Sequence, residues 1–233
     1  MADTDGTHVV RHDPVQRSGR ERAEANDAAI AAHLEAHLGG EQLLWSDETG
    51  ESPRVHVRFA LPTAERPFIV ATTSGMSAHP MVMPPNMAEA SLWCRAELSI
   101  LLPGDFRLDE ASMQDPRNFW PLGLLKGLAR LPHRYGTFLG YGHSVPNGDP
   151  PEPYCEGTTL AAAMIIPPVL LGDAFFTLAR RDADPVRFYQ VLPITAAETA
   201  FLLKFDAQRL LGRFDHSQRA VYGPVDPVRT STV

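Results

Sequence analysis

The stretch from Leu139 to Thr159 constrains the fold more strongly than any other part of this sequence. It opens as a short extended segment over 139–145 and then becomes a loop that neither a helix nor a regular strand can contain. Asn147-Gly148 is a strong turn signal, and proline fixes φ and lacks the N–H that regular structure needs. The prolines of this loop are Pro146, Pro150, Pro151 and Pro153. A loop of this length in a compact chain is usually functional or mobile.

Length and composition indicate a globular protein of one large domain or two small ones. The chain has 233 residues, of which 44% are hydrophobic and 21% are charged, and these values are typical of a chain that buries a core. It also contains 21 prolines, well above the usual share of about 5%. This composition favours many loops and short elements over long helices.

The negative charge is concentrated near the N-terminus. The chain carries a net charge of −7, and residues 1–50 account for −6 of it, with ten acidic residues and four arginines. Residues 51–233 are nearly neutral, and the lysines are Lys126 and Lys204 alone. A nucleic-acid surface needs a stripe of basic residues to neutralise phosphates, so the sequence argues against a nucleic acid partner.

The cysteines and the polar N-terminus favour a cytoplasmic protein. Cys94 and Cys155 lie far apart without a CxxC motif, which favours reduced, packed thiols over a disulfide framework. The chain opens MADTDGTHVVRHD, without an apolar signal region. The longest run without a charged residue or a histidine, Gly157–Gly172, contains Pro167-Pro168 and is too short to cross a bilayer. We therefore expect no membrane partner.

The chain divides into three predicted parts. Residues 1–21 are polar and without periodicity, which predicts a disordered N-terminus. Residues 22–215 hold the periodic segments and are predicted to form one folded domain. Residues 216–233 form a C-terminal tail, which is polar and rich in proline from Tyr222 and is expected to fray.

The first predicted helix contains a pair of histidines. Alanines and leucines at helical spacing predict a helix from Arg22 to Leu38, and Gly39-Gly40 provides its C-terminal cap. His33 and His37 stand one turn apart, as in the HExxH zinc motif, but the sequence HLEAH has no glutamate next to the first histidine. We interpret both as exposed histidines that bind no metal.

The strands are predicted from alternation and from apolar runs. RVHVRFAL alternates, which predicts a half-buried strand, and the apolar run FIVATT predicts a central strand antiparallel to it. Arg95 and Glu97 fall on one face of another strand and are expected to pair across solvent. The predicted strands are Leu43–Asp47, Arg54–Leu61, Phe68–Thr73, Leu92–Leu102, Leu160–Ile166, Ala174–Leu178 and Val186–Leu192.

Two further helical regions carry capping signals. Asp115 is the predicted N-cap of a helix over Pro116–Arg130. Thr195 and Glu198 form a capping box ahead of one bent helix or two consecutive helices, in which Asp206 is a possible internal cap.

No complete metal or cofactor site is evident. The histidines are scattered, and the glycines near Gly140 do not precede a helix with dinucleotide spacing, so we predict no metal and no cofactor. Gly75–His79 approaches the GxSxG elbow of serine hydrolases, but its fifth residue is histidine and no helix follows. The methionines of this region suit core filling or an adaptable binding surface. They are Met76, Met81, Met83 and Met87.

Four segments together resemble a known family. They are RPFIVATTSGMSAHPM at 66–81, CRAELSILLP at 94–103, GYGHSVPNGDP at 140–150 and VLPITAAETAFLL at 191–203. The GMS, EL-x-x-x-LP, GHS-x-PNG and LPI-x-x-x-E patterns in this order resemble the suppressor of fused domain family in its bacterial form. The resemblance covers about residues 42–215, and the N-terminal helix is less distinctive.

This resemblance implies an α+β domain, with a mixed, largely antiparallel sheet flanked by helices. The animal relative binds Gli-type transcription factors by clamping an extended peptide as an added strand between two domains. The similarity reaches only the first of those domains, so neither that partner nor that clamp is expected to carry over. Bacterial relatives are often encoded near toxins, and the family is proposed to include immunity proteins that neutralise them.

The leading hypothesis is a non-enzymatic domain that binds a protein or peptide partner, plausibly as an immunity-type inhibitor of a toxin. The loops Ser74–Met81 and Tyr141–Asp149 are expected to lie together near an edge or end of the sheet and to receive a peptide through backbone hydrogen bonds. The candidate binding residues are Gly75, Met76, Ser77, Glu97, Tyr141, His143, Ser144 and Asn147.

Two alternatives stay open. One is a serine-hydrolase-like enzyme that uses Ser77 or Ser144 with His143. The other is a structural accessory domain whose motifs serve folding, in which His143 would hydrogen-bond a backbone carbonyl and hold its loop.

Overall fold

The computed structural model describes residues 14–181, 183–216 and 221–233, with side chains from residue 23 onward. The helices are α1 Pro14–Leu38, α2 Glu110–Met113, α3 Pro116–Tyr135, α4 Ala196–Lys204 and α5 Ala207–His216. The strands are β1 Gln42–Trp45, β2 His56–Ala60, β3 Phe68–Ser74, β4 Ala96–Pro103, β5 Ser144–Pro146, β6 Leu160–Ile166, β7 Thr177–Leu178 and β8 Val186–Thr195.

The strands form one open sheet in the order β1-β2-β3-β4-β8-β6-β5, with β7 paired to β8. Every neighbouring pair is antiparallel except β4 and β8, which run parallel. The predicted α+β class, with a mixed and largely antiparallel sheet flanked by helices in one domain, is therefore confirmed. β1 and β5 are the two edges of this sheet.

Helices cover both faces because side chains alternate along each strand. On one face, Leu125 and Leu128 of α3 pack against residues such as Leu98 and Val191. On the other face, α1 and α5 divide the sheet. Ile30, Leu34 and Leu38 of α1 pack over Val70, Leu101 and Phe188, whereas Leu210 and Phe214 of α5 pack over Met164, Leu192 and Ile194.

The first helix corrects two predictions. α1 begins at Pro14, earlier than the predicted start at Arg22. His33 is not exposed as predicted: it is buried, its Nε2 lies 2.9 Å from the carbonyl oxygen of Phe175, and its ring stacks on Phe188. Burial lowers the pKa of His33. The predicted disorder of residues 1–13 falls outside the described residues, and the three-part division of the chain remains a prediction.

Most strand and helix predictions are confirmed with shifted ends. β6 spans the predicted Leu160–Ile166, and β8 continues beyond Leu192 to Thr195. β4 begins only at Ala96, because a short 3-10 turn occupies Ala90–Leu92. A second 3-10 turn over Asp173–Phe176 takes most of the strand predicted at Ala174–Leu178.

The capping signals are confirmed. Asp115 accepts a hydrogen bond from the backbone N–H of Arg117 at the start of α3, and Thr195 forms the predicted capping box with Glu198. Asp206 accepts from the N–H of Arg209, which separates α4 from α5 as predicted. α3 runs past Arg130 to Tyr135, where Gly136 at a φ of 60° ends it.

The C-terminal segment is packed, so the predicted fraying from Tyr222 is wrong. β4 and β8 pair only from Ala96 to Ser99 on the β4 side, and beyond that point Leu101 accepts a hydrogen bond from the N–H of Val225. Both guanidinium Nη atoms of Arg229 donate to the Glu198 carboxylate, at 2.7 and 2.6 Å. We call residues 221–229 the C-terminal strap, because they close the gap between β4 and β8.

Within the ranges that the structure describes, no helix combines the length and the apolar character that crossing a membrane requires.

Candidate functional site

The Glu97 carboxylate is the centre of a fully buried polar cluster. Glu97 on β4 has no exposed surface, although the sequence pattern places it on a solvent face. Its Oε2 accepts a hydrogen bond from Thr73 Oγ1 at 2.6 Å. Its Oε1 accepts from Gly75 N at 3.0 Å, from Ser77 N at 2.9 Å and from Ser77 Oγ at 2.6 Å. We call Thr73, Gly75, Ser77 and Glu97 the Glu97 cluster.

Only glycine can occupy position 75 in this cluster. Its φ is 131°, in a region that L side chains rarely adopt, and a Cβ atom there would lie 2.0 Å from the carbonyl oxygen of Arg54. The sharp reversal after β3 turns the amide groups of Gly75 and Ser77 toward Glu97 and begins the 3-10 turn Met76–Ala78. Met76 is fully buried, so this methionine fills the core.

Charged residues on neighbouring elements hold the cluster from outside. Asn26 on α1 donates to Ser77 Oγ at 2.9 Å and accepts from Arg180 at 2.8 Å. Arg95 donates to the carbonyl oxygens of Ser77 and Ala78, at 2.7 and 3.0 Å. The predicted pairing of Arg95 with Glu97 across solvent is therefore wrong.

Among the described residues, the Ser77 hydroxyl is bonded to the buried Glu97 carboxylate and not to a histidine. Burial raises the pKa of Glu97, while the four donors oppose that rise. The Ser77 hydroxyl donates to Glu97 and accepts from Asn26. In the part of the chain that the structure describes, neither Ser77 nor Ser144 hydrogen-bonds an imidazole. His133 contacts the GMS segment, with its Nε2 2.9 Å from the carbonyl oxygen of Met76.

The remaining predicted site residues lie at the β5 edge. Tyr141 is 54% exposed, and His143 and Ser144 are half-buried. The His143 ring packs edge-on against Phe138, and its carbonyl oxygen accepts from the N–H of Ile165. The role predicted for a structural His143, a side-chain bond to a carbonyl, is thus taken by backbone pairing and ring packing.

Asn147 explains how the proline-rich loop keeps its shape. Its backbone N–H donates to Ala161 at 2.8 Å, and its Nδ2 donates to the carbonyl oxygens of Glu152 and Pro153 at 2.9 and 3.3 Å. The following Gly148 has a φ of 93°. One side chain therefore ties the two ends of this turn together.

The structure gives the eight predicted site residues as two groups. Gly75, Met76 and Ser77 lie beside the buried carboxylate of Glu97. The other four residues lie in β5 or next to its ends. The chain next to the two predicted loops is in contact, since Leu139 N approaches Met81 Sδ at 3.4 Å and Val82 N donates to Thr137 O at 3.2 Å. A single surface that uses all eight residues remains a prediction.

Sequence reasoning missed the groove beside β1. Leu43 and Leu44 are 40% and 48% exposed on a strand whose outer side pairs with no other described strand. They border a groove of about 860 Å³. Its other walls include Trp45, Phe59, Leu108, Phe119 and Lys126. The available signal was the run LLW, which lacks the alternation expected of a half-buried strand.

Asp47 anchors the end of β1 to α3. Its buried carboxylate accepts from Lys126 Nζ at 2.9 Å, from Arg130 Nη2 at 2.5 Å and from the N–H of Val55 at 3.0 Å. Burial alone would raise the pKa of Asp47, but Lys126 and the backbone and hydroxyl donors outweigh it and hold that pKa far below its usual range. The groove beside β1 therefore has a rigid wall.

Both cysteines are free, with Cys94 buried and Cys155 half-buried. Across residues 14–181, 183–216 and 221–233, no three His, Cys, Asp or Glu side chains are grouped to hold a metal ion.

Comparison with known proteins places this geometry in a family. The sequence model described as Suppressor of fused protein (SUFU) matches residues 51–229, well over half of the chain. No curated protein matches the sequence. A solved SUFU homologue from Neisseria gonorrhoeae superposes with a TM-score of 0.65 at 21% identity, covering 90% of this chain and 98% of that chain.

Two further solved structures share the fold. Sufu in a Sufu–Fu complex gives a TM-score of 0.61 at 14% identity, over 89% of this chain and 92% of that chain. Drosophila Suppressor of Fused gives 0.58 at 15% identity, over 89% of this chain and 51% of its own length. The chain thus spans about half of the Drosophila protein.

Proposed function

The chain belongs to the suppressor of fused family, and from that premise we propose that it is a non-enzymatic domain that binds an extended segment of a partner protein along β1. The family is one of protein interaction, and a structural relative, Sufu, is solved in a complex with Fu. The observation that carries the proposal is the open β1 edge beside an apolar groove.

The backbone of β1 offers hydrogen bonds on its outer side. Leu61 N donates to Glu41 O, and Leu43 lies opposite Phe59, so the odd-numbered residues of β1 pair with β2. Gln42 and Leu44 then direct their N–H and C=O groups away from the sheet. An added strand would satisfy these groups, which is how strand addition gains affinity.

The groove would supply specificity to that added strand. Trp45 and Phe119, whose ring centroids lie 6.0 Å apart, form an aromatic wall, and Lys126 and Glu48 stand at the rim. Alternate side chains of an extended segment point to the same side, so an apolar residue could enter the groove while its neighbours face solvent.

The β5 edge is a weaker candidate for the same role. β5 has only three residues, and Pro146 has no N–H to donate. Proline and short length are the usual ways in which proteins block an edge strand. The predicted loops Ser74–Met81 and Tyr141–Asp149 would then shape the fold around the binding edge or add a second contact.

We further propose that the partner is a toxin, so that the domain acts in the cytoplasm as an immunity-type protein. The support is the resemblance to bacterial members of the family. Co-expression with the product of a neighbouring gene should rescue growth if that product is toxic. Failure of such a rescue, with a specific non-toxic partner recovered, would retain the binding domain and remove the immunity role.

The experiment for β1 separates backbone from side-chain recognition. Leu44→Pro removes an outward N–H without removing a bond to β2, and Leu44→Thr keeps that N–H while shortening the side chain. Each variant and the wild type are used to capture partners from the host at near-native expression. The proposal expects Leu44→Pro to lose a partner that the wild type captures and Leu44→Thr to retain part of it. Equal capture by all three proteins would reject it.

The serine-hydrolase alternative is tested in parallel with a fluorophosphonate probe. Ser77 is fully buried and bonded to Glu97, so we expect no covalent labelling. Labelling that disappears in Ser77→Ala or Ser144→Ala would instead establish a reactive serine.

A further inference from the structure

A second groove lies between α4 and α5, at the other side of the sheet from β1. These helices pack over β6 and β8, whereas β1 is the opposite edge. The groove has a volume of about 490 Å³. It is lined by Phe201, Phe205, Arg209, Gly212, Arg213 and His216. Aromatic and cationic side chains therefore make up almost all of its surface.

The cations lie over the aromatic rings. The ring centroids of Phe201 and Phe205 are 4.5 Å apart. The guanidinium of Arg213 lies 5.8 Å from the Phe201 centroid, and that of Arg209 lies 5.5 Å from the Phe205 centroid. Such stacking holds the guanidinium groups above an apolar floor and leaves their N–H donors directed outward.

The cationic charge of this groove is only lightly neutralised. No carboxylate is among the lining residues, and Arg213 forms no ion pair with any described residue. Arg209 approaches Asp206 at 3.7 Å, with both side chains more than half exposed, and such exposed pairs contribute little. Arg209 and Arg213 therefore give this groove a local positive charge.

Part of the apolar wall of the groove is open to solvent, since Phe205 is 41% exposed. The loop that carries the exposed Tyr141 lies alongside, since a Cβ atom on Gly142 would be 3.6 Å from Ala207 Cβ. Large aromatic and arginine side chains together are the composition of protein–protein contact sites.

We propose that this groove binds an acidic polypeptide segment that packs an apolar side chain against the rings of Phe201 and Phe205. Carboxylates on either side of that anchor would pair with Arg209 and Arg213. The cations are too few and too closely grouped to follow a nucleic acid backbone, which requires a longer basic track. This surface is independent of the β1 edge and does not rest on the function proposed there.

The test measures binding of synthetic fluorescein-labelled peptides to the full chain by fluorescence anisotropy. The probe has a central Leu-Phe pair flanked by glutamates. One comparison peptide replaces the glutamates by lysines, and another replaces Leu-Phe by serines. We expect the probe to bind at least about tenfold more tightly than either comparison peptide, a difference of about 1.4 kcal/mol.

Protein variants then locate the site. Arg209→Glu with Arg213→Glu reverses the rim charge. Gly212→Leu fills the groove, and a Cβ at Gly212 meets nothing within 4 Å, so this helix position accepts it without a clash. We expect each change to weaken probe binding about tenfold, with unfolding temperatures confirming that the variants are folded. Leu44→Pro at the β1 edge serves as the matched control and should leave probe binding unchanged.

Several results would overturn the inference. Equal binding of the lysine peptide, or probe binding that survives Gly212→Leu, would show that the groove does not select an acidic segment. Tighter binding of a single-stranded DNA oligomer or of phosphatidylserine vesicles would assign the patch to another class of partner. Loss of probe binding in Leu44→Pro alone would place the peptide at β1, rejecting this site while supporting the first.

Discussion

The Glu97 cluster and the β1 edge use backbone amide groups in opposite ways. In the cluster, the N–H groups of Gly75 and Ser77 point inward and are satisfied by a buried carboxylate. At the edge, the N–H and C=O groups of Gln42 and Leu44 point outward and have no partner in the sheet. The first arrangement fixes a shape, whereas the second leaves bonds to be made with another chain.

This difference separates the residues that stabilise the fold from those that can contact a partner. The residues that look most like a motif, GMS and the glutamate of EL-x-x-x-LP, are buried and hold β3, β4 and α1 together. The residues that could touch a partner are ordinary leucines in a short strand. The predictions below test this contrast in order of decreasing effect on the free energy of unfolding.

Gly75→Ala should give the largest loss of stability. Its Cβ would lie 2.0 Å from Arg54 O at a φ of 131°, so the turn that presents Ser77 to Glu97 cannot form unstrained. We expect a cost above about 4 kcal/mol, measured by urea unfolding. Gly50→Ala is the matched control, because Gly50 also has a positive φ but meets nothing within 4 Å, and it should cost about 1 kcal/mol. Equal losses of stability in the two variants would mean that the clash of a Cβ atom at position 75 with Arg54 O is not the cause.

Asp47→Ala should follow, at about 3 kcal/mol in urea unfolding. The change leaves the partly buried Lys126 and Arg130 without the carboxylate that pairs with both, and unpairing buried charges is costly. It should also weaken capture of a partner at β1, since this anchor fixes one wall of the groove. Asp206→Ala removes an exposed helix cap instead and should cost about 1 kcal/mol. If Asp47→Ala cost no more than this, the anchor would be dispensable.

Glu97→Gln should change how stability depends on pH. Burial raises the pKa of Glu97, so the folded protein keeps a proton at pH values where the unfolded chain has released it. The resulting stability is complete below the unfolded pKa of about 4.3 and is lost as pH rises toward the folded pKa, by at most about 1.4 kcal/mol per pH unit. Glutamine cannot titrate, so the wild type should lose stability relative to Glu97→Gln as pH rises from 4 to 8. A difference that stays constant with pH would contradict this.

Leu44→Thr should have the smallest effect on stability, below about 0.5 kcal/mol by thermal unfolding. Leu44 is 48% exposed, so its side chain lies at the surface and buries little area in the core. Leu98→Thr provides the contrast, because Leu98 is fully buried in the main core and should cost about 3 kcal/mol. A large loss in Leu44→Thr would show that this leucine belongs to the core and is not held for a partner.

Local signals in the sequence predicted much of the fold. Period-2 alternation located β2, a β-branched apolar run located β6, and capping residues located the starts of α3 and α4. These signals act through neighbouring residues, so they are readable along the chain. Strand order is different, because it depends on which distant segments pair. Local signals therefore could not predict that β4 pairs in parallel with β8 or that β1 is an exposed edge.

The same limit explains the errors at charged residues. Glu97 alternates with core residues and therefore looked exposed, but its burial depends on donors from Thr73, Gly75 and Ser77 that come from another strand and its turn. His33 looked exposed on its helix, but the distant residues Phe175 and Phe188 bury it. A carboxylate or imidazole can be buried whenever tertiary partners satisfy it, and no local pattern reports those partners.

The C-terminal strap has a consequence for how this chain is made. The carbonyl oxygen of Leu101 accepts a hydrogen bond from the N–H of Val225, and Glu198 accepts one from Arg229. The segment that supplies these donors is synthesised after every strand. A nascent chain that has reached only the end of α5 therefore has all its strands and an incomplete sheet. The contacts that complete the centre of the sheet come from residues synthesised after α5.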